Sequence, residues 1–329
     1  MGLKHKAFKY CFPEFVSAAA IRRRSSDSGV VLMYHEVLPD EINLPAWTVV
    51  KESDFRWQMN YLRRHFDIIS LDLALERVQS RSSWKKPFAV ITFDDGYKGN
   101  LQNVFPIMQS MGIPFTVYVS TKTLIDNSLF WFDRIISLLA HSGDIHLKLK
   151  EKRDVETFMI PAKASEAVRW QAIQKLLERL KRMSPDERRH CVKRITEKYD
   201  KINKTELQML NINDLQLLAS SDLVTIGSHT HGHEMLDQLD DPNIHRTIQN
   251  SIHYLMDIIV TKPEHFSFPN GNYDQRVMAQ VQEIGFKSAV TTNTGFFSKE
   301  KNFYEIPRIG VGRFTTKSHF MAKVSGFLK

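Results

Sequence analysis

Short apolar segments alternate with helical patterns along most of the chain. The segments are rich in β-branched and aromatic residues, which favours buried strands, and their alternation with helices predicts a mainly parallel α/β sheet or barrel. The predicted strands lie at 30–34, 88–93, 115–119, 223–226, 266–268 and 288–291.

Two apolar stripes at helical spacing separate the first of these strands. The second stripe ends at Gly112 with Pro114 two residues later, which is typical of a helix that stops before a strand. Both stripes predict helices whose apolar face joins the core. Their positions are Phe55, Met59, Leu62 and Phe66, and Val104, Ile107, Met108 and Met111.

The interval at about 122–213 breaks this rhythm because it is highly charged and mostly helical in pattern. It is far longer than a crossover between neighbouring strands requires. We therefore predict an N-terminal leader at 1–28 and a catalytic domain at 29–329, interrupted by a helical insertion that could cover a substrate cleft.

Composition and charge narrow the class of protein. The chain of 329 residues is 42% hydrophobic and 25% charged, as in globular proteins, and it contains no run of about 18 apolar residues that could span a membrane. The net charge of +8 fits an anionic partner or, as we favour, a solvated basic surface. No nucleic-acid-binding motif is present, so we predict no nucleic-acid partner.

The first residues allow three interpretations. A basic segment at 1–10 precedes small residues at 17–20, which resembles a secretory signal, but Pro13 and Glu14 interrupt the apolar part. The segment could also lie on a membrane surface, and a plain leader helix is the interpretation we favour. Two cysteines, Cys11 and Cys191, form no disulfide framework. We favour a cytoplasmic or membrane-peripheral protein, with secretion as the alternative.

Two polar motifs directly follow predicted strands. Asp94 and Asp95 follow the strand at 88–93, and a histidine-rich loop with His229, His231 and His233 follows the strand at 223–226. The carboxyl ends of parallel strands converge on one crevice, where adjacent carboxylates are costly unless a cation lies between them. Neutral imidazoles four residues apart can bind one divalent metal. A simple turn and a solvated loop remain the alternative interpretations.

One Asp and two His leave coordination positions open, as a catalytic metal site requires. Taken together, 92–96 and 229–233 resemble the two metal-binding motifs of the polysaccharide deacetylase family, also called the NodB-homology family or carbohydrate esterase family four. The likeness covers about 29–120 and 208–312. It implies a distorted (β/α)7-type barrel that removes N-acetyl groups from an amino sugar.

The resemblance also implies the roles of individual residues. Asp95, His229 and His233 would bind one divalent metal, for which zinc is favoured over Co²⁺, Ni²⁺ or Fe²⁺. Asp94 would be the general base. The late histidine motif that supplies the general acid in many members is not clearly present, and we predict that His35, after the first strand, takes that role.

A third motif of the family is represented by Phe268, Pro269 and Tyr273 but lacks the arginine that orients the catalytic Asp. We predict that Arg308 substitutes for it, with an ordinary surface or salt-bridge arginine as the alternative. The substrate-binding residues are predicted to be Tyr97, Phe268, Pro269, Tyr273 and Arg308.

The predicted reaction is hydrolysis of the N-acetyl group of a carbohydrate, in a polysaccharide, an oligosaccharide or a glycolipid precursor, with release of acetate. Two alternatives remain open. One is a deformylase or amidase acting on another C–N bond of a lipid-linked sugar or small molecule. The other is an inactive glycan-binding member, which would be expected to have lost part of the Asp and His set.

Overall fold

The structure of the protein is a computed structural model that describes residues 11–24, 26–80, 84–151, 154–199 and 205–328. The chain forms two compact units. The first comprises Met1–Asp40, Thr48–Asn127 and Met209–Lys329, and the second comprises Glu41–Trp47 and Ser128–Gln208. Residues 1–10 of the predicted leader lie outside the described residues.

The strands and helices agree in order with the predicted alternation. The strands are β1 (Gly29–Tyr34), β2 (Glu36–Leu38), β3 (Val49–Lys51), β4 (Asp67–Ile68), β5 (Phe88–Phe93), β6 (Phe115–Val119), β7 (Ile145–Glu151), β8 (Asp154–Ile160), β9 (Val224–Ser228), β10 (His265–Ser267), β11 (Ser288–Val290) and β12 (Ile309–Gly310). The α-helices are α1 (Glu14–Arg22), α2 (Glu52–His65), α3 (Leu71–Gln79), α4 (Phe105–Met111), α5 (Thr121–Asp126), α6 (Trp131–His141), α7 (Glu166–Lys181), α8 (Pro185–Tyr199), α9 (Ile212–Ala219), α10 (Asp241–Ile259), α11 (Gln275–Glu283) and α12 (Lys317–Val324).

The first unit contains a parallel sheet in the order β11-β10-β9-β6-β5-β1-β12, with β4 paired to the start of β5. The segment before β12 also pairs with β11, through a parallel bridge between Val290 and Ile306. The chain at 306–311 therefore hydrogen-bonds to β11 on one side and to β1 on the other, so the two edges of the sheet meet there. This confirms the predicted (β/α) barrel class.

The barrel strands are buried because their residues are apolar on both faces, as parallel sheets covered by helices require. All six residues of β1 and all six of β5 are buried. The predicted helix ends also agree: Gly112 has the left-handed conformation (φ 62°) at the end of α4 and returns the chain into β6. Side chains at the carboxyl ends of these strands therefore project from a rigid base.

The larger part of the second unit, Ser128–Gln208, contains α6, α7 and α8 and lies within the predicted insertion, whereas Glu41–Trp47 comes from the segment between β2 and β3. It also contains an antiparallel hairpin formed by β7 and β8, which the sequence pattern did not predict. Alternating residues of β7 are buried, with Ile145, Leu147 and Leu149 on the covered face. The helical description of the insertion is thus incomplete.

The end of the predicted leader is part of the first unit. In α1, Ser17, Ala18 and Ile21 are buried, and the Ser17 hydroxyl donates to the carbonyl oxygen of Met321 at 3.1 Å. No helix in the described part of the chain is both long enough and apolar enough to cross a bilayer.

Candidate active site

The histidine loop and the Asp pair converge at the carboxyl ends of β5 and β9. Asp95 Oδ1 lies 3.4 Å from His229 Nε2 and 3.2 Å from His233 Nε2. Ligand atoms of these three residues all lie within 4.8 Å of one another, and this is the one such group of His, Cys, Asp or Glu among the described residues. The structure thus brings together the three residues predicted to bind metal.

The backbone of this group is conformationally costly. Asp95, Thr230 and His233 have φ angles of 79°, 64° and 56°. Residues other than glycine pay on the order of 1–2 kcal/mol for the left-handed region, and such strain is concentrated at functional sites. The positive φ at Asp95 and His233 coincides with the two side chains that must meet.

Neighbouring groups fix the two imidazoles. His229 Nδ1 donates to the carbonyl oxygen of Ser267 at 2.8 Å, which leaves Nε2 facing Asp95. The loop after His229 is held from α10, where the Thr247 hydroxyl donates to Glu234 and accepts from the backbone of His231. The His231 ring is turned away and stacks on Tyr254.

The donor set fits a divalent transition metal. One carboxylate oxygen and two imidazole nitrogens suit zinc and its neighbours in the first transition row. Asp95 Oδ1 is buried and has no hydrogen-bond partner within the described ranges, as expected for an atom reserved for a cation. Burial alone would raise the pKa of Asp95, but His229 and His233 hold that pKa well below its ordinary value.

Arg308 holds the second carboxylate of the pair. Its Nη1 and Nη2 donate to Asp94 Oδ1 and Oδ2 at 2.7 and 2.6 Å, a bidentate arrangement that fixes the plane of the carboxylate. Nε donates to the Thr291 carbonyl at 2.9 Å. Burial favours a raised pKa for Asp94, but the guanidinium outweighs it and the pKa is lowered. Asp94 is therefore ionised and immobile.

Ser267 completes this arrangement and was not singled out as a functional residue in the sequence. Its hydroxyl donates to Asp94 Oδ2 at 3.2 Å and accepts from Arg308 Nη2 at 3.1 Å. Ser267 and Phe268 stand where the resemblance to the family's third motif leads us to expect its arginine, and Ser267 contacts both Asp94 and Arg308. Its contact with a residue 173 positions earlier could be seen only in the folded chain.

His35 lies at the end of β1 and interacts electrostatically with Asp95, Asp94, Arg308 and His229. Burial lowers its pKa, with the two carboxylates opposing that change. The Asn100 side chain donates to the His35 carbonyl at 2.8 Å. His35 therefore belongs to the electrostatic environment of the Asp and His group.

Glu36 anchors the segment that carries His35. Its carboxyl oxygens accept hydrogen bonds from the backbone N–H groups of Val37 at 2.7 Å and Gly99 at 3.2 Å. A Cβ at Gly99 would lie 1.8 Å from Glu36 Oε1, so only glycine allows this approach. The π-helix Asn100–Val104 follows, and Asn103 donates to the Val37 carbonyl at 2.7 Å. This clamp sets the position of His35 relative to the Asp pair.

Glu36 also predicts a dependence of stability on pH. It is 1% exposed, and burial raises its pKa from 4.5 to about 8, against the two backbone hydrogen bonds. In this pH range Glu36 keeps its proton in the folded protein and loses it in the unfolded chain. The stability that depends on the protonated carboxyl is therefore complete below about pH 4.5 and is lost as the pH rises to about 8.

Because of Glu36, the free energy of unfolding of the wild type should fall by on the order of 2–4 kcal/mol between about pH 5 and 8. We expect Glu36→Gln to abolish this fall, since glutamine does not titrate. Urea unfolding of both proteins across that range measures it, with the exposed Glu283→Gln as the control. Parallel pH curves for wild type and Glu36→Gln would contradict the assignment.

The predicted substrate residues are placed less uniformly. Tyr97 and Phe268 are fully buried, so neither ring offers a free face to a sugar. Pro269 is buried as well, whereas Tyr273 is partly exposed and stacks on Phe268 with ring centres 4.6 Å apart. Arg308 is fully buried against Asp94. Tyr273 is the predicted contact that remains most accessible.

The fold is an α/β barrel. Its candidate site contains one Asp and two His residues whose ligand atoms converge, beside a second Asp that is held by an arginine. A sequence model of the polysaccharide deacetylase family matches residues 81–289, which is more than half of the chain. The protein belongs to the polysaccharide deacetylase family and has the NodB-like barrel fold. No curated protein sequence matches it significantly.

Solved structures share the fold at low sequence identity. The Streptococcus pyogenes deacetylase PplD, in complex with acetate, is 14% identical, with a TM-score of 0.59 over 90% of this chain and 98% of that one. The polysaccharide deacetylase BC0361 from Bacillus cereus is 15% identical, with a TM-score of 0.57 over 90% and 69%. IcaB from Ammonifex degensii is 15% identical, with a TM-score of 0.53 over 91% and 97%.

Proposed function

We propose that this protein is a metal-dependent deacetylase that hydrolyses the N-acetyl group of an amino sugar in a polysaccharide, an oligosaccharide or a glycolipid precursor. The convergence of Asp95, His229 and His233 beside Asp94 carries the proposal. In this proposal the three residues hold one divalent cation, with zinc favoured. Residues 29–329 would form the catalytic domain, with the insertion within it.

The cation, when bound, would polarise the acetyl carbonyl and make water more acidic. Asp94 is suited to accept a proton because it is ionised and fixed by Arg308. Arg308 would thus be a positioning residue, since its five hydrogen bonds go to Asp94, Ser267, Thr92 and Thr291 and leave no donor for a sugar.

His35 would deliver a proton to the departing amine nitrogen. A C–O bond forms from water as the C–N bond breaks, and the products are acetate and the free amine. Burial lowers the pKa of His35. The protonated imidazolium of His35 is therefore a stronger acid than that of an exposed histidine and would give up its proton readily. Tyr273, the accessible aromatic residue, would contact the sugar ring.

Removal of the metal tests the proposal. We expect the purified protein to release acetate from N-acetylglucosamine oligomers, to lose that activity on treatment with a chelator, and to regain it when Zn²⁺ or Co²⁺ is added. Formate and ammonia are measured in parallel, with N-formylated and unsubstituted heterocyclic amides as substrates.

The competing functions give different products. Formate or ammonia without acetate would show a deformylase or an amidase, and metal binding without any hydrolysis would show a glycan-binding member. Activity that survives complete removal of metal would exclude the proposed role of Asp95, His229 and His233.

A further inference from the structure

Helix α1 has an unusual distribution of apolar residues. A helix on a protein surface is normally apolar towards the core and polar towards water. Between Glu14 and Arg22 the only polar residue is Ser17, and it is on the buried side, where its hydroxyl lies 2.7 Å from that of Tyr61 and donates to Met321. The outward side therefore has no polar side chain along two turns.

The outward side is nevertheless open. Phe15 is 73% exposed, while Ala19 and Ala20 are partly exposed. Nearby, Phe327 is 45% exposed and contacts Phe12, with ring centres 5.0 Å apart. Two phenylalanine rings thus project from a region whose backbone is fixed to the core.

Positive charge borders this apolar surface. Arg22 and Arg23 are exposed at the end of α1, and Arg22 lies seven residues after Phe15, on the same side of the helix. Arg63 and Arg64, at the end of α2, are exposed as well.

Glu14 is the one acidic residue of α1 and pairs with Arg64 at 3.2 Å. We call Phe15, Ala19, Arg22, Arg23 and Phe327 the N-terminal face.

We propose that the N-terminal face docks on an anionic lipid surface, with α1 parallel to the membrane plane. Exposed aromatic residues enter the boundary between headgroups and acyl chains, and arginines beside them attract anionic headgroups. The charge selects this occupant: a polar partner would leave Phe15 without an apolar contact, and an uncharged apolar partner would leave the arginines without counterions. The proposal does not depend on the deacetylase reaction.

The proposal predicts binding that requires both lipid charge and Phe15. In a flotation assay the full chain should bind vesicles of phosphatidylcholine mixed with phosphatidylglycerol, and bind vesicles of phosphatidylcholine alone at least tenfold more weakly. Each basic residue near such a surface is worth about a fivefold change, so Arg22→Gln with Arg23→Gln should weaken binding by roughly 25-fold. Phe15→Ser should weaken it about tenfold.

Matched controls distinguish lipid binding by the N-terminal face from non-specific binding through exposed apolar or charged side chains elsewhere on the protein. Val260 is 87% exposed, so Val260→Ser removes an exposed apolar side chain elsewhere, and Arg246→Gln with Lys262→Gln removes two exposed charges from the region of α10. Both controls should bind as the wild type does. Thermal unfolding should be unchanged in Phe15→Ser, because this side chain is mostly in solvent.

Three results would overturn the proposal. Equal binding by the wild type and the α1 variants would show that the face does not contact lipid. Loss of binding on deletion of residues 1–10, with α1 variants unaffected, would assign binding to those residues. A dimer in sedimentation velocity that Phe15→Ser converts to a monomer would show that a second copy covers the face. Acetate release measured in detergent-free buffer is a separate readout, so failure of either proposal is recognisable.

Discussion

Replacing Asp94 with Asn should reduce acetate release by about 10²–10⁴-fold, the range that a positioned general base contributes. The substituted amide cannot accept a proton from water, and it would turn an N–H towards the Arg308 donors that now lie 2.6 and 2.7 Å from the carboxylate. Turnover of N-acetylglucosamine oligomers measures the effect.

Metal content distinguishes loss of the base from loss of the site. Asp94 is not among the three converging ligand residues, so Asp94→Asn should retain near-stoichiometric zinc. His229→Ala, as the matched variant, should lose both zinc and activity. If Asp94→Asn retains activity, Asp94 is not the base. If the variant loses zinc as well as activity, the role of Asp94 is to assemble the metal site.

Among the substitutions considered, removal of the Arg308 side chain should lower the free energy of unfolding the most. Arg308 is fully buried, and Asp94 is 3% exposed. In Arg308→Met an uncompensated carboxylate remains in the core, a change that typically costs about 3–5 kcal/mol. Guanidinium unfolding measures the loss. Arg308→Lys retains the charge but loses the bidentate geometry, so it should be less destabilising while still lowering kcat.

A double-mutant cycle tests whether the effect comes from this pair. In Arg308→Met with Asp94→Asn neither charge of this pair remains, so we expect the double variant to be more stable than Arg308→Met alone. Additive losses would show that Arg308 stabilises the fold mainly through its bonds to Thr291 and Thr92.

Strand prediction succeeded where burial on both faces leaves a continuous apolar run. The segments 88–93 and 115–119 coincide with β5 and β6. It failed at β2, β3 and β4, which have two or three residues each, because their apolar runs are too short to be distinguished from those of loops. The β7–β8 hairpin was missed because its exposed face is as charged as the helices around it.

The substrate residues illustrate a different limit. Tyr97 and Tyr273 both follow motifs near strand ends, so the sequence treats them alike. In the structure Tyr97 is fully buried, while Tyr273 is partly exposed and donates to Glu305 at 3.0 Å. Exposure of an aromatic ring depends on what packs above it, and local sequence does not contain that information.

The sequence by itself determined the class of fold and which polar residues converge, because Asp94, Asp95, His229 and His233 each follow a strand and strand ends meet at one edge of a parallel barrel. Only the tertiary structure decided what surrounds them. Ser267 and Glu36 were not predicted, and for Arg308 the sequence left a surface or salt-bridge role open. All three make contacts between segments 41–214 residues apart in sequence. Such contacts depend on how the strands close into a barrel, which no local pattern specifies.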